Sequence, residues 1–246
     1  MTGEVYALVG TVGGAGTTRL ALEFAATLAR AGREVAVVDA AFDTQGLATA
    51  VPGEVGTDVT DAVTEDAPLA EATTPLGLDV PGRVAVAPAR APFEQLARAK
   101  TSASARRLAE QLSTAAERYD AVFVDVPPVA ANPAVAAVTA ADWVTLVVPD
   151  SARGADSLPR TRDLLADVDA RADAVVANLA DPDECHVTAA DAAVPEAAVT
   201  ALPAAPVSVA PEPFPTAVAG AVETVVGVDL GLPEPESSSL AEYLPT

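Results

Sequence analysis

The stretch Val9–Arg19, VGTVGGAGTTR, holds the residue types and spacing with the most readable chemistry. Gly13, Gly14 and Gly16 let a backbone wrap tightly without Cβ clashes. Together with Ala15, Thr17 and Thr18 they can turn successive N–H groups into one concavity that suits phosphate. A helix that starts at such a loop adds the positive end of its dipole. The Thr18 hydroxyl is placed to ligate Mg²⁺. The familiar phosphate-loop pattern has a lysine directly before that hydroxyl, and Thr17 stands there instead. Three further polar residues each close an apolar run: Asp39, Asp125 and Asn178.

Those residues need a scaffold that brings them to one place, and the hydrophobic pattern supplies it. Strands are expected at 5–9, 35–38, 84–87, 121–126, 143–148 and 174–177, with a seventh candidate at 199–202. Helices are expected at 18–31, 102–118, 132–140, 155–168 and 213–226, with short helical turns at 58–63 and 69–72. Gly32 marks a helix end, Pro133 a helix start, and Pro159 falls in the first turn of its helix. Valine-rich strands alternating with helices predict an α/β fold: a doubly wound, mostly parallel β-sheet with helices on both faces. Ligands of such folds bind beyond the carboxyl ends of the strands. Gly10–Thr18, Asp39–Gly46, Asp125–Pro128 and Asn178 all fall at such ends.

Half of the 246 residues are apolar, enough for a large core, and residues 1–231 are expected to form one domain. Residues 232–246, rich in Pro, Ser and Glu, are expected to be a disordered tail. The tail's closing SLAEYLPT has an apolar stripe that a partner could engage. The 14 basic residues against 35 acidic ones give a formal charge of −21, which argues against nucleic acid or anionic membrane as a direct partner. Arg106–Arg107 is the only adjacent basic pair. Lys100 is the only lysine, and the acidic, alanine-rich, lysine-poor composition resembles that of halophile proteins. Cys185 is the only cysteine, so no internal disulfide can form. Cys185 with His186 does not make a zinc pattern, and a lone histidine leaves no attractive Ser-His-Asp arrangement. No signal peptide or spanning segment is evident, and a cytoplasmic location is expected.

The stretch VGGAGTTRLALEFAATLARAGREVAVVDAAFDTQGLAT resembles the start of the MinD/ParA family of deviant-Walker P-loop ATPases, whose loop reads KGGxGKT[TS]. YDAVFVDVPPVA resembles that family's YDxIIIDxPP segment, AADWVTLVVPD its ADxVLxVxxP strand, and AVVANLA its strand ending in Asn. The order holds over nearly the whole chain, roughly residues 1–226. The resemblance implies ATP or ADP with Mg²⁺ as cofactors. Gly13, Gly14, Ala15, Gly16, Thr17, Thr18 and Asn178 would bind the nucleotide, Asn178 at the adenine edge. Thr18, Asp39 and Asp125 would hold the metal, and the two aspartates would carry the catalytic roles. It also implies a homodimer, or a heterodimer with a related ATPase, and a protein partner.

The departures from the family's pattern fall on its chemistry. Val12 replaces the signature lysine that reaches a partner's nucleotide, and Thr17 replaces the phosphate-binding lysine. Ala41 replaces the second Asp of a D-x-D switch; Asp43, two residues on, is a candidate substitute, with a surface role the expectation. Arg19 is expected to point away from the loop, and Lys100 lies in a distant segment. The expectation is a spatial regulator or scaffold with a degenerate loop and little or no hydrolysis. An active but slow Mg²⁺-dependent ATPase is the first alternative. An interaction module without nucleotide is the second. The acidic, proline-containing C-terminus lacks the basic amphipathic helix by which MinD-type relatives grip membrane, so direct membrane binding is not expected.

Overall fold

In the computed structural model, residues 3–65, 67–180, 185–209 and 213–232 are described. The tail at 233–246, including SLAEYLPT, lies outside them. Strands are β1 Glu4–Gly10, β2 Glu34–Asp39, β3 Thr74–Leu76, β4 Arg83–Ala87, β5 Ala121–Val126, β6 Trp143–Pro149, β7 Ala174–Asn178 and β8 Ala192–Val194. Helices are α1 Thr17–Arg30, α2 Val59–Thr64, α3 Phe93–Ala99, α4 Ser102–Ala116, α5 Asn132–Ala140, α6 Ala152–Ala166 and α7 Pro213–Val226.

The eight strands form one sheet in the order β3-β4-β2-β5-β1-β6-β7-β8. Every neighbouring pair is parallel except β3–β4. β1, the strand that feeds the glycine loop, therefore lies between β5 and β6. Its side chains alternate between two cores, as a strand covered on both faces must. Val5, Ala7 and Val9 pack with Val63, Leu96, Leu108, Ala137 and Leu165 on the face that α2 to α6 cover. Tyr6 and Leu8 pack with Leu20, Phe24, Leu28, Val218 and Val222 on the face of α1 and α7. Among the described residues no helix is long and apolar enough to cross a membrane.

The doubly wound, mostly parallel sheet is present, and the departures from the expected elements are at its margins. Residues 199–201 are irregular and Leu202–Ala204 is a 3₁₀ turn, so the strand expected at 199–202 does not form. The seventh parallel strand is β8, paired with β7 through Val176–Ala192 to Asn178–Val194. β3 and α3 were not anticipated. α6 starts three residues early because Ser151 caps it, its Oγ accepting from Gly154 N at 3.1 Å. Pro159 thus sits inside α6 and not in its first turn.

Candidate nucleotide site

The central strands end together, and their last residues set the site. Asp39 of β2 and Asp125 of β5 are register partners on adjacent strands, 0% and 1% exposed. Asp39 Oδ1 accepts from Ala41 N at 2.8 Å and its Oδ2 from Ala89 N at 3.3 Å. Asp125 Oδ2 accepts from the Thr18 hydroxyl at 2.6 Å. Loss of water pushes the Asp39 carboxyl up to about 8, and the charge of Asp125 adds to the shift. Burial also raises Asp125, to about 6, against the pull of the Thr18 hydrogen bond. Two buried acids side by side with a hydroxyl form a hard oxygen donor set.

The glycine loop follows β1 directly. Gly14 and Gly16 have φ of 81° and 83°, the left-handed region where a side chain is strained. Cβ atoms at Gly13 and Gly14 would meet open space, so the loop's outer surface is free to receive a ligand. Gly16 is the N-cap of α1 and no side chain caps that helix, which leaves its first N–H groups to an outside acceptor. Ala15 is buried.

Thr17 is buried, and its hydroxyl would lie 2.7 Å from a Cβ at Gly10, so it turns back toward β1. Thr18 is half-buried under Gly46, whose Cβ would come within 3.3 Å of it. Asn178 ends β7 and is 4% exposed; its Nδ2 donates to Ala15 O at 2.8 Å. A side chain at Gly16 would run into that amide. Asn178 thus braces the loop from behind, and this amide bond is spent on the loop itself.

Other residues are placed by contacts that the sequence pattern does not reveal. Arg19 turns from the loop to Glu23 Oε1 at 2.5 Å and Val199 O at 2.8 Å. Lys100 is far from Asp43 in sequence, yet the two form an ion pair beyond the end of β2. The Lys100 carbonyl also accepts from Asn132 Nδ2 at 2.9 Å, which ties the α3–α4 connection to the start of α5. Gln45 fastens the segment after β2 to the one after β4, with Oε1 accepting from Ala91 N and Nε2 donating to Ala91 O. The rarity of lysine was the one signal that pointed to Lys100.

The donor set fits Mg²⁺ better than a closed metal cage. Among the described residues no group of three or more His, Cys, Asp or Glu is arranged to hold a metal. A Mg²⁺ ion commonly takes one or two carboxylates and draws its other ligands from phosphate and water. Thr18, Asp125 and Asp39 offer that partial set next to a loop whose N–H groups suit phosphate.

Residues 3–190 match the AAA domain family. No curated protein sequence matches the chain. Among solved structures it is similar to the septum site-determining protein MinD of Pyrococcus horikoshii complexed with Mg-ADP, with a TM-score of 0.67 and 19% identity. That match covers 79% of this chain and 82% of the other. A chain of the MinC:MinD cell division complex of Aquifex aeolicus matches with a TM-score of 0.71 and 20% identity, over 94% of this chain and 98% of that one. Cobyrinic acid a,c-diamide synthase of Mycobacterium smegmatis, with bound ADP and magnesium, matches at 0.62 and 21%, over 75% and 78%. At these identities the likeness is one of fold.

Proposed function

The chain belongs to the AAA domain family and has the fold of MinD/ParA-type P-loop ATPases, and from that premise we propose that it binds ADP or ATP with Mg²⁺ while hydrolysing ATP slowly or not at all. The reading is of a nucleotide-dependent scaffold or spatial regulator. The observation that carries it is the split inside the loop. Thr18 still hydrogen-bonds Asp125 beside Asp39, while Thr17 fills the lysine position with a buried hydroxyl turned toward Gly10.

Phosphates would rest on the N–H groups of Gly13 to Thr18 and on the N-terminus of α1. Thr18, Asp125 and Asp39 would hold the metal, which supplies charge neutralisation on the phosphate oxygens when bound. The loop itself carries no cationic side chain for the transferred group. Thr17 and Val12 carry no charge, Arg19 is engaged with Glu23, and the Lys100 ammonium is engaged with Asp43. One missing contact to a transition-state charge commonly costs ~10²- to 10³-fold in rate. Ala41 has no carboxylate to place a water. Binding survives these losses better than hydrolysis does, because the loop amides and the metal ligands act on the ground state as well.

The named relatives support a partner protein, since one of them is a MinC:MinD complex. A second copy, or a related ATPase, would meet this chain over the glycine-loop face. There Val12 would pack without the cost of burying a charge. The test of binding is calorimetric titration of Mg-ADP and Mg-ATP into the full chain in molar KCl. A dissociation constant tighter than about 100 μM, roughly −5.5 kcal/mol, is expected. Absence of heat at millimolar nucleotide would sink the reading and leave an interaction module. The intact Thr18–Asp125 contact favours a second reading, the slow ATPase. Its signature is a trace of Mg²⁺-dependent hydrolysis that Asp125→Ala abolishes.

A further inference from the structure

A cleft of about 480 Å³ opens at the start of the glycine loop. Thr11, Val12 and Gly13 form one wall, Pro128 and Ala130 of the β5–α5 connection another, and Arg153 and Arg160 of α6 the third. The two arginines are seven residues apart, which places them on one side of the helix about 10 Å apart along its axis. Neither makes an ion pair or hydrogen bond among the described residues. Asp156 also lines the cleft, so the wall keeps an excess positive charge in a chain whose formal charge is −21.

The opposite wall holds an independent sign of a ligand. Thr11 is 7% exposed, and its hydroxyl has no hydrogen-bond partner. A buried polar group without a partner is costly, and its persistence calls for an explanation. The other hydroxyls of the cleft are already used: Ser157 Oγ donates to Gly154 O at 2.6 Å and Thr161 Oγ1 to Ser157 O at 3.0 Å.

We propose that this cleft binds a small oxyanion, a carboxylate- or phosphate-bearing molecule, gripped by Arg153 and Arg160 and accepting a hydrogen bond from Thr11. Guanidinium forks match the planar oxygens of both groups. The volume is that of a small-molecule site. The cleft shares Gly13 with the nucleotide loop, while Arg153, Arg160 and Thr11 lie outside the Gly13–Thr18 stretch that would hold phosphate.

The test follows side-chain Nε–Hε signals of Arg153 and Arg160 by NMR. The full chain is titrated with inorganic phosphate and, separately, with succinate at constant chloride. Saturable shifts at both guanidiniums, with a dissociation constant of about 1 mM or tighter for at least one probe, are expected. The preferred probe tells a phosphate site from a carboxylate site. Arg160→Gln, an exposed change that spares the core, should weaken binding about tenfold or more. Thr11→Val should weaken it while raising stability, since an isosteric methyl removes the unpaired hydroxyl. Linear, non-saturating shifts, or affinity unchanged in both variants, would overturn the proposal. The amides of Gly16 to Thr18 report separately. Shifts there alone with phosphate would overturn the cleft and leave the nucleotide reading standing. Shifts at the arginines alone would support the cleft and leave the nucleotide reading to be decided by the calorimetry.

Discussion

At the scale of single residues, Thr17 decides how much chemistry the loop retains. Its side chain is short, buried and turned toward Gly10, so it offers no charge to a phosphate. Thr17→Lys would place an ammonium where the resemblance expects one. The expected outcome is tighter Mg-ADP binding, by about tenfold or more, read by calorimetry. Unchanged affinity would mean that the loop amides do not face phosphate at all. The neighbouring acids make a prediction about pH. Both carboxyls titrate higher in the folded chain, about 8 for Asp39 and about 6 for Asp125, than the ~3.9 of an unfolded aspartate. The native state therefore holds more protons than the unfolded state between about pH 4 and pH 8. Stability from this pair is fully present below pH 4 and is lost as pH rises through that window. Urea melts of the chain without metal or nucleotide should show the decline, on the order of a few kcal/mol. Asp125→Asn should shrink it without abolishing it: the amide oxygen can still accept from Thr18, Asp125's own titration and its charge beside Asp39 are gone, and the burial of Asp39 remains. Mg²⁺ should oppose the decline by favouring the ionised carboxylates.

At the scale of elements, the C-terminal part of the chain is fastened to α1 through one side chain. Glu23 is completely buried and accepts from Val207 N, Ser208 N and Ser208 Oγ, while Arg19 supplies the counter-charge. Glu23→Ala leaves the Arg19 guanidinium without its counter-charge and two backbone donors unpaired. A loss of about 3–5 kcal/mol is expected. Hydrogen exchange should quicken at 205–208 and in α7, which packs on α1; an unmoved rate there would refute the tie. The same contact shows what a sequence can and cannot reveal. β1, β2, β5, β6 and β7 were legible because a strand buried on both faces must be a continuous apolar run. Asp39, Asp125 and Asn178 were legible because each breaks such a run at its end. β3 and β8 were not, since three-residue edge strands reading TPL and AAV bury too little to leave a pattern. α3 follows Pro92 and has only Leu96 and Ala99 as buried residues. The Glu23 tie to Val207 and Ser208 and the Lys100–Asp43 pair join residues dozens of positions or more apart, which no local pattern encodes.

At the scale of the molecule, the charge of −21 acts on everything at once. A chain of this length has a radius of gyration of about 18 Å. At ~0.01 M salt the Debye length is about 30 Å, so acidic groups across the whole surface repel one another; at 1 M it is about 3 Å. Self-repulsion works against the compact state, so stability should rise with added KCl. The shape of the rise identifies its cause. Screening is largely complete once the Debye length falls to about 8–10 Å, near 0.1–0.15 M. A gain from exclusion of salt from the surface would instead keep growing through the molar range. Thermal melts across that series should show most of the gain at the low end if repulsion is the cause. The same field acts on incoming ligands, since nucleotides, phosphate and succinate are all anions. Like charges slow encounter, and salt relieves that slowing. The association rate of Mg-ADP, followed by stopped flow, should therefore increase with ionic strength, the opposite of the usual dependence for steered partners. A rate that falls with salt would mean that the local field of the α1 N-terminus, with Arg153 and Arg160 nearby, outweighs the charge of the whole surface.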